Sequence, residues 1–275
     1  PKQLRSMLPM LPDDGKIDPV INIDLLMESA RVSDVVEKVE DSVNLSKAIM
    51  HADSILAVDN DDAPTKDVND DWLRRWRENA SKTSTIELQQ IWGSILAGEI
   101  KEPGSYSLRT VEFIKNLSKD EAINIEILYK FIFLDRIIRG VEDNDSNEVN
   151  EKEGKLSFKF LNDMQNLGLI SGVEAIGLTT TYSSTHNEKF LRHILYNNKK
   201  KVLTIENEDK EKKLQLEVYL LTSLGNEMMS LCQSDINMPY LNMVINKIKE
   251  NGFTVSVSDV LNTNGNLSAI NTVIV

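Results

Sequence analysis

The chain has 275 residues, of which 41% are hydrophobic and 27% charged, and its net charge is −12. That length exceeds one typical domain, and the composition is rich enough to bury a core, so a disordered chain is excluded. The acidity argues against a surface that holds phosphate backbones as a whole, while leaving room for a local basic face.

Residues 1–57 read as an N-terminal arm. Its first 20 residues carry Pro1, Pro9, Pro12 and Pro19 around Asp13, Asp14 and Gly15, an irregular stretch. Opening on Pro1 rather than methionine points to processing or trimming upstream. The stretch also lacks the uninterrupted apolar core of a signal peptide. Over 21–52, Ile23, Leu26, Met27 and Ala30 recur at helical spacing, followed by Val32, Val35, Val36 and Val39. Leu45, Ala48 and Ile49 continue the pattern, which predicts one or two amphipathic helices that need a surface to cover. Residues 58–70 form an acidic linker around Pro64. A calcium-loop reading fails there, because the turn glycine and the closing glutamate of an EF-hand are missing.

Residues 71–140 predict a helical domain. Asp70 or Asp71 caps a helix bearing Trp72, Leu73, Trp76 and Ala80. Ser84 and Glu87 have capping-box spacing and open a second helix with Leu88, Ile91, Trp92, Ile95 and Leu96, stopped by Pro103 and Gly104. Ser107 caps a short third helix. Ser118 and Glu121 form another capping box, opening a long fourth helix that ends at Gly140. Short joints between four helices imply a bundle with the indoles as interior filler.

Residues 141–155 are an acidic loop. Residues 156–235 read as a winged-helix-like α+β domain. It comprises a helix closed by Gly168, a strand at Leu169 and Ile170, and a hairpin of Phe190–Tyr196 with Val202–Ile205. A strand over 214–220 and a helix capped by Thr222 or Ser223 complete it. Residues 236–275 add a helix from Pro239 to Glu250 and a β-hairpin. The fold class is α+β: a helical N-terminal module, a winged-helix-like α+β module and a small C-terminal α/β piece.

Motifs for dinucleotide, P-loop or serine-hydrolase chemistry are missing from the sequence, and no cofactor is expected. His51, His186 and His193 lack companions at metal-ligand spacing, so no metal is expected either. Cys232, the one cysteine, fits a cytoplasmic protein and reads as packing rather than a nucleophile. No apolar run approaches the ~20 residues that span a bilayer, so no membrane is expected.

Two basic groups are candidates for binding a partner or nucleic acid: Arg74, Arg75 and Arg77 beside the tryptophans, and Lys199, Lys200 and Lys201 at the hairpin tip. The other reading of the arginines pairs them with Asp70, Asp71 or Glu78. A structural corner is drawn from Trp72, Trp76, Trp92, Glu99, Pro103, Gly104 and Arg109, with Glu99 and Arg109 joined by a charge-assisted bond.

One string is similar to the bacterial domain-of-unknown-function 2806 family. It runs through Asp71, Trp72, Arg75, Ala80, Ser84, Trp92, Ile95 to Glu99, Pro103, Gly104, Ser107, Arg109 and Thr110. Asn116 to Ser118, and downstream Leu221, Thr222, Gly225 and Glu227, fit as well. The resemblance covers residues 70–135 well and 20–250 loosely. It implies a bacterial or phage-borne cytosolic protein, in the setting of phage defence, and implies no reaction.

The expected function is that of a non-enzymatic protein-interaction or regulatory protein, acting through self-association or a protein partner. The alternative is a DNA-associated regulator using the winged-helix-like domain. A third reading is a carboxylate- or metal-dependent hydrolase around Asp53, Asp61, Asp62 and Glu99.

Overall fold

The computed structural model describes residues 23–57, 66–140, 142–143, 148–174, 177–196, 201–232, 235–263 and 266–275. Residues 58–65 of the expected acidic linker, among them Asp61 and Asp62, lie outside them.

Helix α1 (Ile23–Leu56) is one continuous element of 34 residues, about 51 Å long at 1.5 Å per residue. Its C-terminal half buries Ala48 and Ala52 in the core, with Leu45, Ile55 and Leu56 packed alongside. Helix α2 (Asp70–Ser81) is capped by Asn69, not by either aspartate as the sequence suggested. The Asn69 amide oxygen accepts the Asp71 and Trp72 N–H groups at 3.0 and 3.1 Å. Asp70 and Asp71 occupy the first turn instead, where negative charge meets the positive end of the helix dipole. Helix α3 (Ile86–Lys101) begins after Thr85, which makes no side-chain cap bond. The capping box expected at Ser84 and Glu87 does not form: the helix begins one residue later, and Glu87 pairs with Lys119 at 2.8 Å. Helix α4 (Leu108–Lys115) starts at Ser107, whose hydroxyl accepts the Thr110 N–H at 3.4 Å. Helix α5 (Lys119–Tyr129) has both halves of the Ser118–Glu121 capping box, at 3.2 and 2.8 Å.

Helix α5 stops at Tyr129 rather than at Gly140, a correction to the long helix read from periodicity. Aromatic packing redirects the chain. Phe131 lies against Tyr240 (ring centroids 5.0 Å apart), and Phe133 stacks on Tyr196 at 4.3 Å. Leu134 adopts φ 55°, and Phe133 and Arg136 exchange backbone hydrogen bonds across the turn. The chain thereby enters β1 (Arg136–Ile138). Strands β2 (Glu142–Asp143) and β3 (Leu156–Ser157) pair in parallel. Helix α6 (Phe158–Asn166) follows, capped by Ser157, whose hydroxyl accepts the Phe160 N–H at 3.1 Å.

The remaining strands are β4 (Ile170–Ser171), β5 (Leu178–Tyr182), β6 (Phe190–Tyr196), β7 (Lys201–Asn207) and β8 (Leu214–Leu221). Helices α7 (Ser223–Met229) and α8 (Met238–Glu250) precede the closing hairpin of β9 (Thr254–Thr263) and β10 (Asn266–Ile274). Strand β8 is central to one group, with β1 antiparallel on one edge and β4 and β5 antiparallel along the other. The second group has the order β10-β9-β7-β6, all antiparallel. The hairpin β6–β7, which the sequence cast as a wing, is therefore not free-standing. Residues Lys201 to Glu206 pair along their other edge with Asp259 to Thr254.

One hydrophobic cluster runs from Ala48 to Val255 and includes the three tryptophans, Phe131, Phe133, Tyr196 and Tyr240. The fold is thus an α+β arrangement in which the N-terminal helices and the sheets share a core.

Candidate functional site

The structure brings the tryptophan-bearing helices together as packing. Trp72, Trp76 and Trp92 are all buried. The Trp76 indole donates to the Trp92 carbonyl at 2.9 Å, and the Trp92 indole to the Thr83 hydroxyl at 2.9 Å. The Trp72 indole N–H has no hydrogen-bond partner among the described residues.

Between α3 and α4 the chain turns through Pro103 and Gly104, whose φ of 100° suits glycine. Glu99, 2% exposed, holds this turn. One carboxylate oxygen accepts the Gly104 N–H at 2.7 Å and the other accepts the Tyr106 N–H at 3.0 Å. The bond expected between Glu99 and Arg109 is corrected. Arg109 is exposed, and among the described residues no ion pair joins the two. Two backbone donors only a few residues away reach the buried carboxylate at lower entropic cost than a long side chain would.

A second carboxylate completes the corner from far along the chain. Glu227, on α7, accepts the Ser107 N–H at 2.7 Å and the Thr110 hydroxyl at 2.5 Å. Tyr106 and Ser230 hydroxyls meet at 2.7 Å, and Tyr129 donates to the Gly225 carbonyl at 2.6 Å. A Cβ on Gly225 would stand 2.1 Å from the Leu169 carbonyl oxygen, so only glycine lets α7 approach this closely. Sequence reasoning placed Glu227 in the family string but not in this role, because nothing local links it to Ser107.

The basic candidates separate. Arg74, Arg75 and Lys115 line a cleft of about 550 Å³ together with Asp71, Glu78 and Glu112. Cations and carboxylates are interspersed there, and Arg75 lies 3.6 Å from Glu112. Arg77 is exposed on α2. Lys201 pairs with Asp259 at 2.7 Å on the neighbouring strand, while Lys199 and Lys200 lie outside the described residues. The hydrolase set does not gather either: Asp53 is exposed on α1, whereas both oxygens of buried Glu99 are engaged by backbone.

A cleft of about 480 Å³ lies between α1, α3 and α5, with His51, Ser94, Glu126 and Cys232 in its lining. His51 Nε2 sits 3.4 Å from the Ser94 hydroxyl. Burial, with a smaller contribution from Glu126, pushes the Cys232 thiol up to about 12, so it stays protonated near neutrality and is a poor nucleophile. His186 and His193 are exposed, and His193 Nδ1 lies 3.0 Å from the Thr204 hydroxyl. Among the described residues no three His, Cys, Asp or Glu side chains gather as a metal site. No helix among them is long and apolar enough to cross a membrane.

The outer face of α1 is a feature that no contact among the described residues explains. At 100° per residue, Leu45, Ala48, Ala52 and Ile55 lie on one side and pack into the core. Half a turn away lie Val32, Val36, Val39, Val43 and Met50, flanked by Val35 and Ile49, each between 45 and 70% exposed. An α-helix apolar on opposite faces is normally covered on both. A shallow groove runs along this outer face between Val35, Val39, Val43 and Met50. Lys38 and Lys47 also line it; beside it Lys82 bridges Glu37 and Asp41 at 2.6 and 2.7 Å, tying α1 to the end of α2, and Lys38 pairs with Asp34 at 2.7 Å.

A model of a family described as "Protein of unknown function (DUF2806)" matches residues 31–245, well over half of the chain. No curated protein and no solved structure matches it.

Proposed function

The chain belongs to the DUF2806 family, and we propose that it is a non-enzymatic interaction protein that docks another polypeptide on the outer face of α1. The supporting observation is the row of seven exposed apolar side chains on a helix whose opposite face is already buried. Fully burying one such side chain is worth about 1.5–3 kcal/mol, so covering seven that are half-exposed contributes on the order of 5–10 kcal/mol. That is comparable with the ~4–15 kcal/mol that association costs in lost freedom, so a matching partner surface on the other side tips the balance toward binding.

The test is site-specific photo-crosslinking in cells, with the reactive side chain at Val39 and a control at Lys115. Docking on α1 gives a covalent adduct to another polypeptide from position 39 and none from position 115. Failure to form adducts from positions 36, 39 and 43 alike would refute the reading.

A further inference from the structure

We infer that the chain holds a small oxyanion, a phosphate group, in a site between β5 and β6 built by Arg192, Tyr182 and Arg136. The site shares no residue with the outer face of α1, so it stands or falls apart from the docking reading.

Strand β6 ends the order β10-β9-β7-β6, while β5 pairs with β8 in the other group. The turn between them draws their ends together. The Leu191 N–H donates to the Ser184 hydroxyl at 3.1 Å, and the Thr185 N–H to the Leu191 carbonyl at 2.9 Å. Successive residues of a strand alternate between faces, so Arg192 shares its face with Phe190, Ile194 and Tyr196, all three buried. A cation thus occupies an inward position. Its guanidinium lies 5.5 Å from the centre of the Tyr182 ring, and that of Arg136 approaches the same ring at 5.9 Å.

The polar groups here are unevenly satisfied. Among the described residues, four buried side-chain polar atoms lack a hydrogen-bond partner, and two of them, the Tyr182 hydroxyl and Arg192 Nε, belong to this one cluster. Tyr182 is only 5% exposed. Buried donors are nearly always given an acceptor, because leaving one bare forfeits its hydration without return. Arg136 has its acceptors: Nε donates to Asp135 at 2.6 Å and Nη1 to the Thr180 hydroxyl at 2.8 Å. Asp135 thereby balances one positive charge. Among the described residues no carboxylate pairs with Arg192, which is half-buried.

The fitting acceptor is negative and presents oxygens in more than one plane. A guanidinium is a planar fork that takes phosphate oxygens in pairs. The phenol adds a donor from another direction. Burial pushes Tyr182 above its usual 10.0, so it keeps its proton at neutral pH and can donate it to an anion. A tetrahedral phosphate accepts from both at once, and its charge offsets that of Arg192. A water molecule would serve the hydroxyl and leave the guanidinium unbalanced, and a planar carboxylate would spend both oxygens on the fork.

The probe is inorganic phosphate, titrated into the full chain to about 10 mM at constant ionic strength and followed by phosphorus NMR. Wild type binds it. Arg192→Gln, with unchanged circular dichroism, weakens binding about 10-fold or more by removing the charged donors. Tyr182→Phe keeps the ring and weakens binding roughly 3-fold or more. In phosphate-free buffer Tyr182→Phe is at least as stable as wild type, since it sheds a buried hydroxyl without a partner among the described residues. That second readout holds even where Arg192→Gln folds poorly. No binding to wild type at the highest concentration overturns the inference, as does binding that both variants retain undiminished. A Tyr182→Phe protein clearly less stable than wild type without phosphate also overturns it, because the hydroxyl would then be bonded within the chain. Acetate bound as tightly as phosphate would overturn the choice of a tetrahedral anion.

Discussion

Replacing Glu99 by glutamine and by alanine probes the corner that joins α3 to α4. Alanine removes two hydrogen bonds to a charged acceptor, each worth about 1.5–3 kcal/mol. The two losses are unequal. Gly104 is exposed, so its N–H regains water, while the buried Tyr106 N–H is stranded at about 1–3 kcal/mol. The lost methylenes add to this, and the sum for Glu99→Ala is about 3–5 kcal/mol. Glutamine keeps the shape and one acceptor but turns an amide N–H toward a backbone donor, so about 1.5–3 kcal/mol is expected. Arg109→Ala, at an exposed position, should stay within about 0.5 kcal/mol of wild type. Urea unfolding, followed by tryptophan fluorescence and circular dichroism, resolves these. With a slope of about 3 kcal/mol per molar, Glu99→Ala lowers the midpoint by roughly 1–1.7 M. A Glu99→Ala protein as stable as wild type would refute the reasoning. An Arg109→Ala protein as weakened as Glu99→Ala would restore the ion pair that the sequence suggested.

Gly93→Ala should destabilise by about 1–3 kcal/mol, despite the ~0.5–1 kcal/mol that alanine gains inside a helix, because its Cβ would sit 2.7 Å from the Ala48 carbonyl oxygen of α1. Thermal melts check the sign. Trp76→Phe should cost about 0.5–1.5 kcal/mol more than Trp72→Phe, since the first gives up the indole bond to the Trp92 carbonyl, which keeps its place in the helix ladder, and the second sheds a buried indole N–H without a partner among the described residues. Chemical unfolding of the two variants side by side decides the order. The Ser118 hydroxyl and backbone N–H bonds hold the Glu121 carboxyl below its usual 4.5. A depressed folded value means that this contribution is full above the unfolded value and is lost as pH falls through the folded one. Ser118→Ala should therefore cost about 1 kcal/mol at neutral pH and progressively less in acid, read from stability measured across pH 3–7.

The helices were legible where a cap and a stripe agree. Ser107, Ser118 and Thr222 cap the helices that the sequence assigns to them. Caps failed where neighbours compete: Asn69 stands one residue before two aspartates, and Thr85 one residue after Ser84. The end of α5 was hidden because Ile132 and Ile138 extend a helical period through residues that long-range aromatic contacts pull into a turn and a strand. Strand β5 escaped notice because Leu178, Thr179, Thr180, Thr181 and Tyr182 show β-branching without alternation of polarity. Of the corner, Pro103 and Gly104 announce the turn, but Glu227 lies too far away in sequence for any local signal to assign it. The valines of α1 stood out as apolar at helical spacing. That they form a second stripe, opposite the core-facing one, became visible only once Ala48 and Ala52 were placed inside.

The Glu227 contact also orders events during synthesis. Its carboxylate reaches Ser107 across 120 positions. At ribosomal rates of about 5–20 residues per second, α4 waits on the order of 6–24 s between its own emergence and that of the group satisfying its first turn. Nascent chains ending before that residue would expose an incomplete start of α4 to chaperones and proteases, so the central string that marks this family is finished only when the far half of the polypeptide arrives.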